Sequence, residues 1–275
     1  MSPAADPAAV PVTPAEWLVW GATLAASALV VAAIRRAEAG GREAVPGRAW
    51  PRAEWSGTDV LLLCGTMILA VATCVAPFDA GAPPAVRMAA GAGGLLLGTL
   101  AIVAVLRVRG SSWESIGLSG FDPGGDLRLA LAGLFLVTGP LLLVSSALDR
   151  LVRYEHPVID TLAAGRSPFD VAAVVLAAVI AAPIAEELLF RRVILGWFDA
   201  RFPSPGGVVA ILASALAFGL AHVGQGLAWI PLVILGVALG ELARRRGSLL
   251  PAILLHGLFN GVSVVLLLLQ PAAAG

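Results

Sequence analysis

The sequence predicts an all-α fold, a polytopic transmembrane bundle of about eight helices, and three observations lead there. Of 275 residues, 59% are hydrophobic and only 13% are charged, against about 45–50% apolar and about 25% charged in soluble domains. Mean hydropathy is +0.91. The apolar residues also come in runs of about 20, the length a helix needs to cross a hydrocarbon core about 30 Å thick at about 1.5 Å per residue.

Taken in order, the runs are 17–34, 59–77, 85–106, 127–148, 172–197, 207–223, 227–243 and 249–269. The sixth and seventh are short and lie only a few residues apart. Pro and Gly mark the breaks at Pro46 and Pro51, Pro77 through Pro84, Pro123-Gly124-Gly125, Pro203 through Gly207, and Pro251. Residues 1–110 thus form an N-terminal region of about three spans. Ahead of the first run the chain is acidic rather than basic, and Arg35-Arg36 follow that run, which predicts a retained anchor rather than a cleaved signal peptide.

Net charge is zero, from 18 basic and 18 acidic residues, and every basic residue is Arg. These arginines collect between apolar runs, so no basic patch addresses nucleic acid, and the expected surroundings are the lipid bilayer. With the loops 35–58, 107–126, 198–206 and 244–248 placed inside, twelve arginines fall on the inner side and four outside. The positive-inside rule therefore predicts both termini on the outer face. Cys64 and Cys74 lie in one run, about 15 Å apart along a helix, too far to bridge. Gly236/Gly240 and Gly257/Gly261 have the spacing of close helix contacts. No internal repeat is evident, which argues against an inverted-repeat transporter.

Ionisable groups inside hydrocarbon are costly and need a reason. Away from span ends they are few: Glu186, Glu187 and Arg191 in the fifth run, His222 in the sixth, His256 with Asn260 in the eighth. Glu187 and Arg191 are i and i+4, so they share a helix face and can pair. Glu186 points about 100° away, in what the sequence suggests is the drier, like-charged position of a tuned general base. His256 and Asn260 repeat the i,i+4 spacing and point into one cavity; Phe218 and His222 stack a ring one turn from the imidazole. Pro183 can kink the helix just where the carboxylates project.

Three motifs now stand in order: E-E-L-L-F-R at 186–191, F-G-L-A-H at 218–222 and H-G-L-F-N at 256–260. Read as EExxxR, FxxxH and HxxxN, they resemble the CPBP family of intramembrane proteases, which includes CAAX prenyl proteases and bacteriocin-immunity (Abi) proteins. The resemblance covers residues 125–268. Arg192 departs from it, where the family often has Gly. The resemblance implies an endopeptidase acting on a membrane-associated protein or peptide. Glu186 and His222 would activate water, His256 and Asn260 would stabilise the oxyanion, and Glu187 with Arg191 would support the site. The Abi branch points to a bacterial inner membrane, where sorting signals or peptide pheromones suit better than a prenylated CAAX protein. Two chemistries stay open: glutamate-based with no cofactor, or zinc held by Glu186, His222 and His256. Two other functions also stand: a non-catalytic immunity or scaffold protein of the same family, and a proton-coupled transporter using the carboxylates as a relay. G-L-S-G at 117–120 imitates a rhomboid serine motif but lies in a loop, and no HExxH occurs.

Overall fold

The computed structural model describes residues 13–43, 45–47, 50–152 and 156–270. Among them the chain is helical throughout: α1 Pro14–Ala39, α2 Gly57–Val75, α3 Pro84–Val108, the single turn α4 Trp113–Ile116, α5 Pro123–Asp149, α6 Pro157–Ala164, the long α7 Pro168–Arg201, α8 Val208–Leu220, α9 Trp229–Arg246 and α10 Leu250–Leu269. All eight apolar runs of the sequence are helices. Six (α1, α2, α3, α5, α7 and α10) are long and apolar enough to cross a membrane, which makes this an integral membrane protein. The sixth run is shorter than expected, because α8 has only 13 residues. The G-L-S-G stretch follows α4 as a loop, with Gly117 left-handed at φ 81°.

The helix ends follow local chemistry. Thr13, Ser56 and Ser167 each cap a helix and complete a capping box with Glu16, Asp59 and Asp170. Outward-facing residues such as Leu61, Leu62, Ile68, Leu97, Leu100 and Leu266 stay exposed, as a surface against lipid requires. The hairpin α2–α3 packs α3 along α7, α1 lies along α5, and α5, α7, α9 and α10 close the centre.

Small residues set the closest approaches. A Cβ at Gly236 would meet Ala215 at 3.0 Å, and one at Gly257 would meet the Val179 carbonyl at 2.9 Å. The first contact joins α9 to α8, the second joins α10 to α7. Cys64 and Cys74 are both free.

The arginine-rich loops gather at one end of the bundle. There Arg246 pairs with the buried Asp126 at 2.6 Å and donates to the Pro46 carbonyl at 2.8 Å, while Arg109 pairs with Asp59. At the opposite end Arg166 closes the C-terminus of α10, donating to the Gln270 carbonyl at 2.7 Å. The Asp126–Arg246 pair ties the start of α5 to the end of α9, and its carboxylate is fully buried, whereas Asp122, 3.5 Å from the same arginine, is 63% exposed. Asp126→Ala is therefore expected to lower stability by about 3–5 kcal/mol, as breaking a buried pair does. Asp122→Ala should change it by less than about 1 kcal/mol. Thermal unfolding of the two variants in detergent checks the contrast.

Candidate active site

Helix α7 carries the carboxylates, and it is not a plain α-helix. Residues Val175–Ala181 and Glu187–Ile194 form wider π-helical turns on either side of Ala182–Glu186, which contains Pro183. Pro183 lacks an N–H and its ring crowds the preceding turn, and the π turns on either side loosen the hydrogen-bond ladder around it. Carbonyls of those turns then accept side-chain bonds: Ala178 from Asn260 Nδ2 at 2.8 Å, Phe190 from Ser214 Oγ at 2.7 Å, and Val193 from Trp55 Nε1 at 2.9 Å. Helices α10, α8 and the segment before α2 are each fastened to α7 in this way.

The two glutamates meet different surroundings. Glu187 is fully buried, as is Arg191, and their charged groups approach to 3.0 Å. The approach is close but not aligned as a hydrogen bond, so Coulomb attraction rather than a directed N–H···O contact holds them. Arg191 also donates to Ser214 Oγ at 3.3 Å and lies 4.6 Å above the Phe218 ring. On its other oxygen Glu187 accepts from His256 Nδ1 at 2.9 Å.

Glu186 instead lines a cavity of about 200 Å³ together with His222, His256 and Asn260. By spacing alone Glu186 takes the drier position. The structure reverses this: Glu186 is 21% exposed and Glu187 is 0% exposed. The reason is packing, since the face of α7 bearing Glu187 and Arg191 closes against α8 and α10, while the face bearing Glu186 meets the cavity.

Both site histidines have a defined tautomer, because a carboxylate or a carbonyl can only accept. His256 uses its Nδ1–H on Glu187, which leaves Nε2 3.8 Å from Glu186 Oε2. His222 uses its Nδ1–H on the Phe218 carbonyl at 2.8 Å. That leaves its Nε2 lone pair for a ligand, substrate or water. Phe218, fully buried, sets the spacing between them: its ring meets His222 at 5.0 Å and His256 at 5.7 Å, edge to face. His222 comes after α8 has ended, in a turn, so a residue from a short helix still reaches the cavity.

One residue absent from the sequence motifs also lines the cavity. His156, N-cap of α6, accepts from Val158 N through Nδ1 at 3.1 Å, and its ring borders the same space. It lies in a polar loop between apolar runs, so nothing in the hydropathy pattern marked it. Burial, and then the neighbouring His222, push its pKa down from 6.5 to about 4. The nitrogens left at His222 and His256 suit a metal in kind. Among the described residues, however, no group of three His, Cys, Asp or Glu is placed to hold one ion.

Residues 168–262 match the family model described as type II CAAX prenyl endopeptidase Rce1-like. That segment resembles an Rce1-like domain. It holds all seven motif residues and bears out the likeness to the CPBP proteases, over a narrower stretch than the motif flanks suggested; α5 lies outside it. No curated protein and no solved structure matches the chain.

Arg191→Ala leaves the Glu187 carboxylate buried without its cation, so stability should fall by about 3–5 kcal/mol, read as a lower melting temperature in detergent. For His156, the unfolded chain binds a proton between pH 6.5 and about 4 that the folded chain refuses. This contribution to stability is intact above pH 6.5 and is lost as pH falls through that window. His156→Asn keeps a capping acceptor without the titration, and its melting temperature should drop less than that of the wild type between pH 7 and pH 4.5.

Proposed function

We propose that the chain is an intramembrane endopeptidase that hydrolyses a peptide bond of a membrane-associated protein or peptide, using a glutamate-activated water. The observation that carries this is the shared cavity of about 200 Å³ lined by Glu186 of α7, His222 of the turn after α8, and His256 and Asn260 of α10. Glu186 accepts a proton from water as the oxygen attacks the peptide carbonyl, with His222 Nε2 orienting that water. The carbonyl becomes an oxyanion, and Asn260 keeps one Nδ2–H for it, since Ala178 takes only one of two. His256 can donate from Nε2 only as the doubly protonated ring, with Nδ1–H still on Glu187. The proton held by Glu186 then passes to the leaving amine, which breaks the C–N bond and restores the carboxylate.

Glu187 and Arg191 touch no substrate in this scheme; they fix the His256 ring. The scheme uses no metal; zinc held by Glu186, His222 and His256 is the alternative chemistry. The orientation that fits the arginine distribution has both termini outside a bacterial inner membrane. The cavity, walled by His156, Val158 and Leu267, then lies toward the outer face.

Glu186→Gln keeps the shape of the side chain and removes its basicity. It should reduce cleavage of a membrane-protein substrate by about 10²–10⁴-fold with melting unchanged, whereas Glu187→Gln should lower both activity and melting temperature. Near-normal turnover by Glu186→Gln would sink the base assignment. On the same preparation, elemental analysis should find well under one equivalent of zinc; stoichiometric zinc lost in both His222→Ala and His256→Ala would establish the metal chemistry instead.

A further inference from the structure

Arg192, the residue that departs from the family pattern, takes no part in the hydrolytic site, yet it is 1% exposed inside the longest apolar helix. Among the described residues no carboxylate lies within ion-pair distance of it. Its Nε donates to the Ser115 carbonyl and its Nη2 to the Pro51 carbonyl at 3.0 Å. The rings of Trp50 and Trp55 lie 5.0 and 4.7 Å from the guanidinium carbon. These neutral partners fix the group in place without cancelling its charge, and an uncompensated buried cation is costly.

The charge has a place to act. Arg192 borders a second cavity, of about 270 Å³, whose wall also holds Arg52, Arg244, Asp199, Trp50 and Gly196. Arg244 pairs with Asp199 at 3.2 Å, and Arg52 donates to the Ala200 carbonyl at 2.7 Å. Three guanidinium groups thus face one carboxylate, leaving a surplus of two positive charges. A Cβ at position 196 would come within 2.8 Å of Arg192 Nη1, so glycine keeps that edge of the guanidinium uncovered. The Trp50 indole N–H is buried without an acceptor among the described residues. The cavity lies at the arginine-rich end, where α7 and α9 terminate beside Trp197, Phe198 and Phe202. Such an aromatic cluster belongs at the level of the lipid headgroups.

We propose that this cavity binds a phosphate group, with Arg52, Arg192 and Arg244 as its donors. Guanidinium forks match the oxygens of a phosphate and favour it over a simple point anion. The group can belong to the headgroup of an anionic phospholipid or to free phosphate. The site stands at the other end of the bundle from the Glu186 cavity and does not depend on the protease reading.

The test uses the full chain in neutral detergent, melted with phosphatidylglycerol, phosphatidylcholine or inorganic phosphate, with native mass spectrometry counting retained lipid. Phosphatidylglycerol should raise the melting temperature of the wild type and of Arg87→Gln, a control at the opposite end, and should persist as a single adduct. The double variant Arg52→Gln/Arg244→Gln should bind on the order of tenfold or more weakly; if it does not fold, Arg52→Gln alone should weaken binding in the same direction. Stabilisation by inorganic phosphate that these variants lose assigns the site to the free ion; stabilisation by phosphatidylglycerol alone assigns it to lipid. An equal response to phosphatidylcholine, an equal response of the variants, or no response of the wild type overturns the proposal.

Discussion

A carboxylate sealed completely from water inside a membrane bundle is costly without a cation, and Glu187 meets that constraint with Arg191 one turn away on α7. Much else follows from keeping those two charges dry. Ser214 and Phe218 of α8 must cover the arginine, one with a hydroxyl and the other with a ring face. His256 of α10 must occupy the remaining lone pair of the glutamate. The pair therefore chooses the neighbours of α7, and in doing so it brings His256 and the Phe218–His222 turn to the cavity that Glu186 faces.

The π-helical turns serve the same end by a different route. Each is less favourable than the α-helix it replaces, and here they flank the segment that carries Pro183 and Glu186. Their carbonyls become acceptors for Asn260, Ser214 and Trp55. In a bilayer no water is at hand to satisfy such groups, so three separate parts of the chain are drawn in to do it. Gly257 completes the arrangement, because only a residue without Cβ lets α10 rest on Val179 closely enough for Asn260 to reach Ala178.

Polar residues divide between the two ends of the bundle. At the arginine-rich end, buried and half-buried charges join helices, as Asp126 does with Arg246, or lie beside tryptophan rings, as Arg192 does. At the opposite end stands the cavity with three histidines and Glu186. The short α8 makes this division workable: its C-terminus stops inside the bundle profile, and the turn after it carries His222 back to the cavity wall.

The apolar runs determined the membrane class and the eight helices directly, because burying a backbone in lipid leaves helix as the only arrangement for such segments. The i,i+4 spacing determined that Glu187 and Arg191 would share a face, and the motif order pointed to the protease family of the 168–262 segment. Which glutamate faces the cavity was decided only by tertiary packing, since 100° of helical rotation gives two faces but not what each will meet. His156 entered the cavity for the same kind of reason: it comes from a polar loop, and only the fold of α6 against α7 and α10 carries it there. The surroundings of Arg192 are non-local too, depending on Pro51 and Ser115, roughly 140 and 77 positions away in the chain. Local sequence fixes periodicity and pairing within one helix, while the identity of a neighbour across the bundle exists only once the helices have packed.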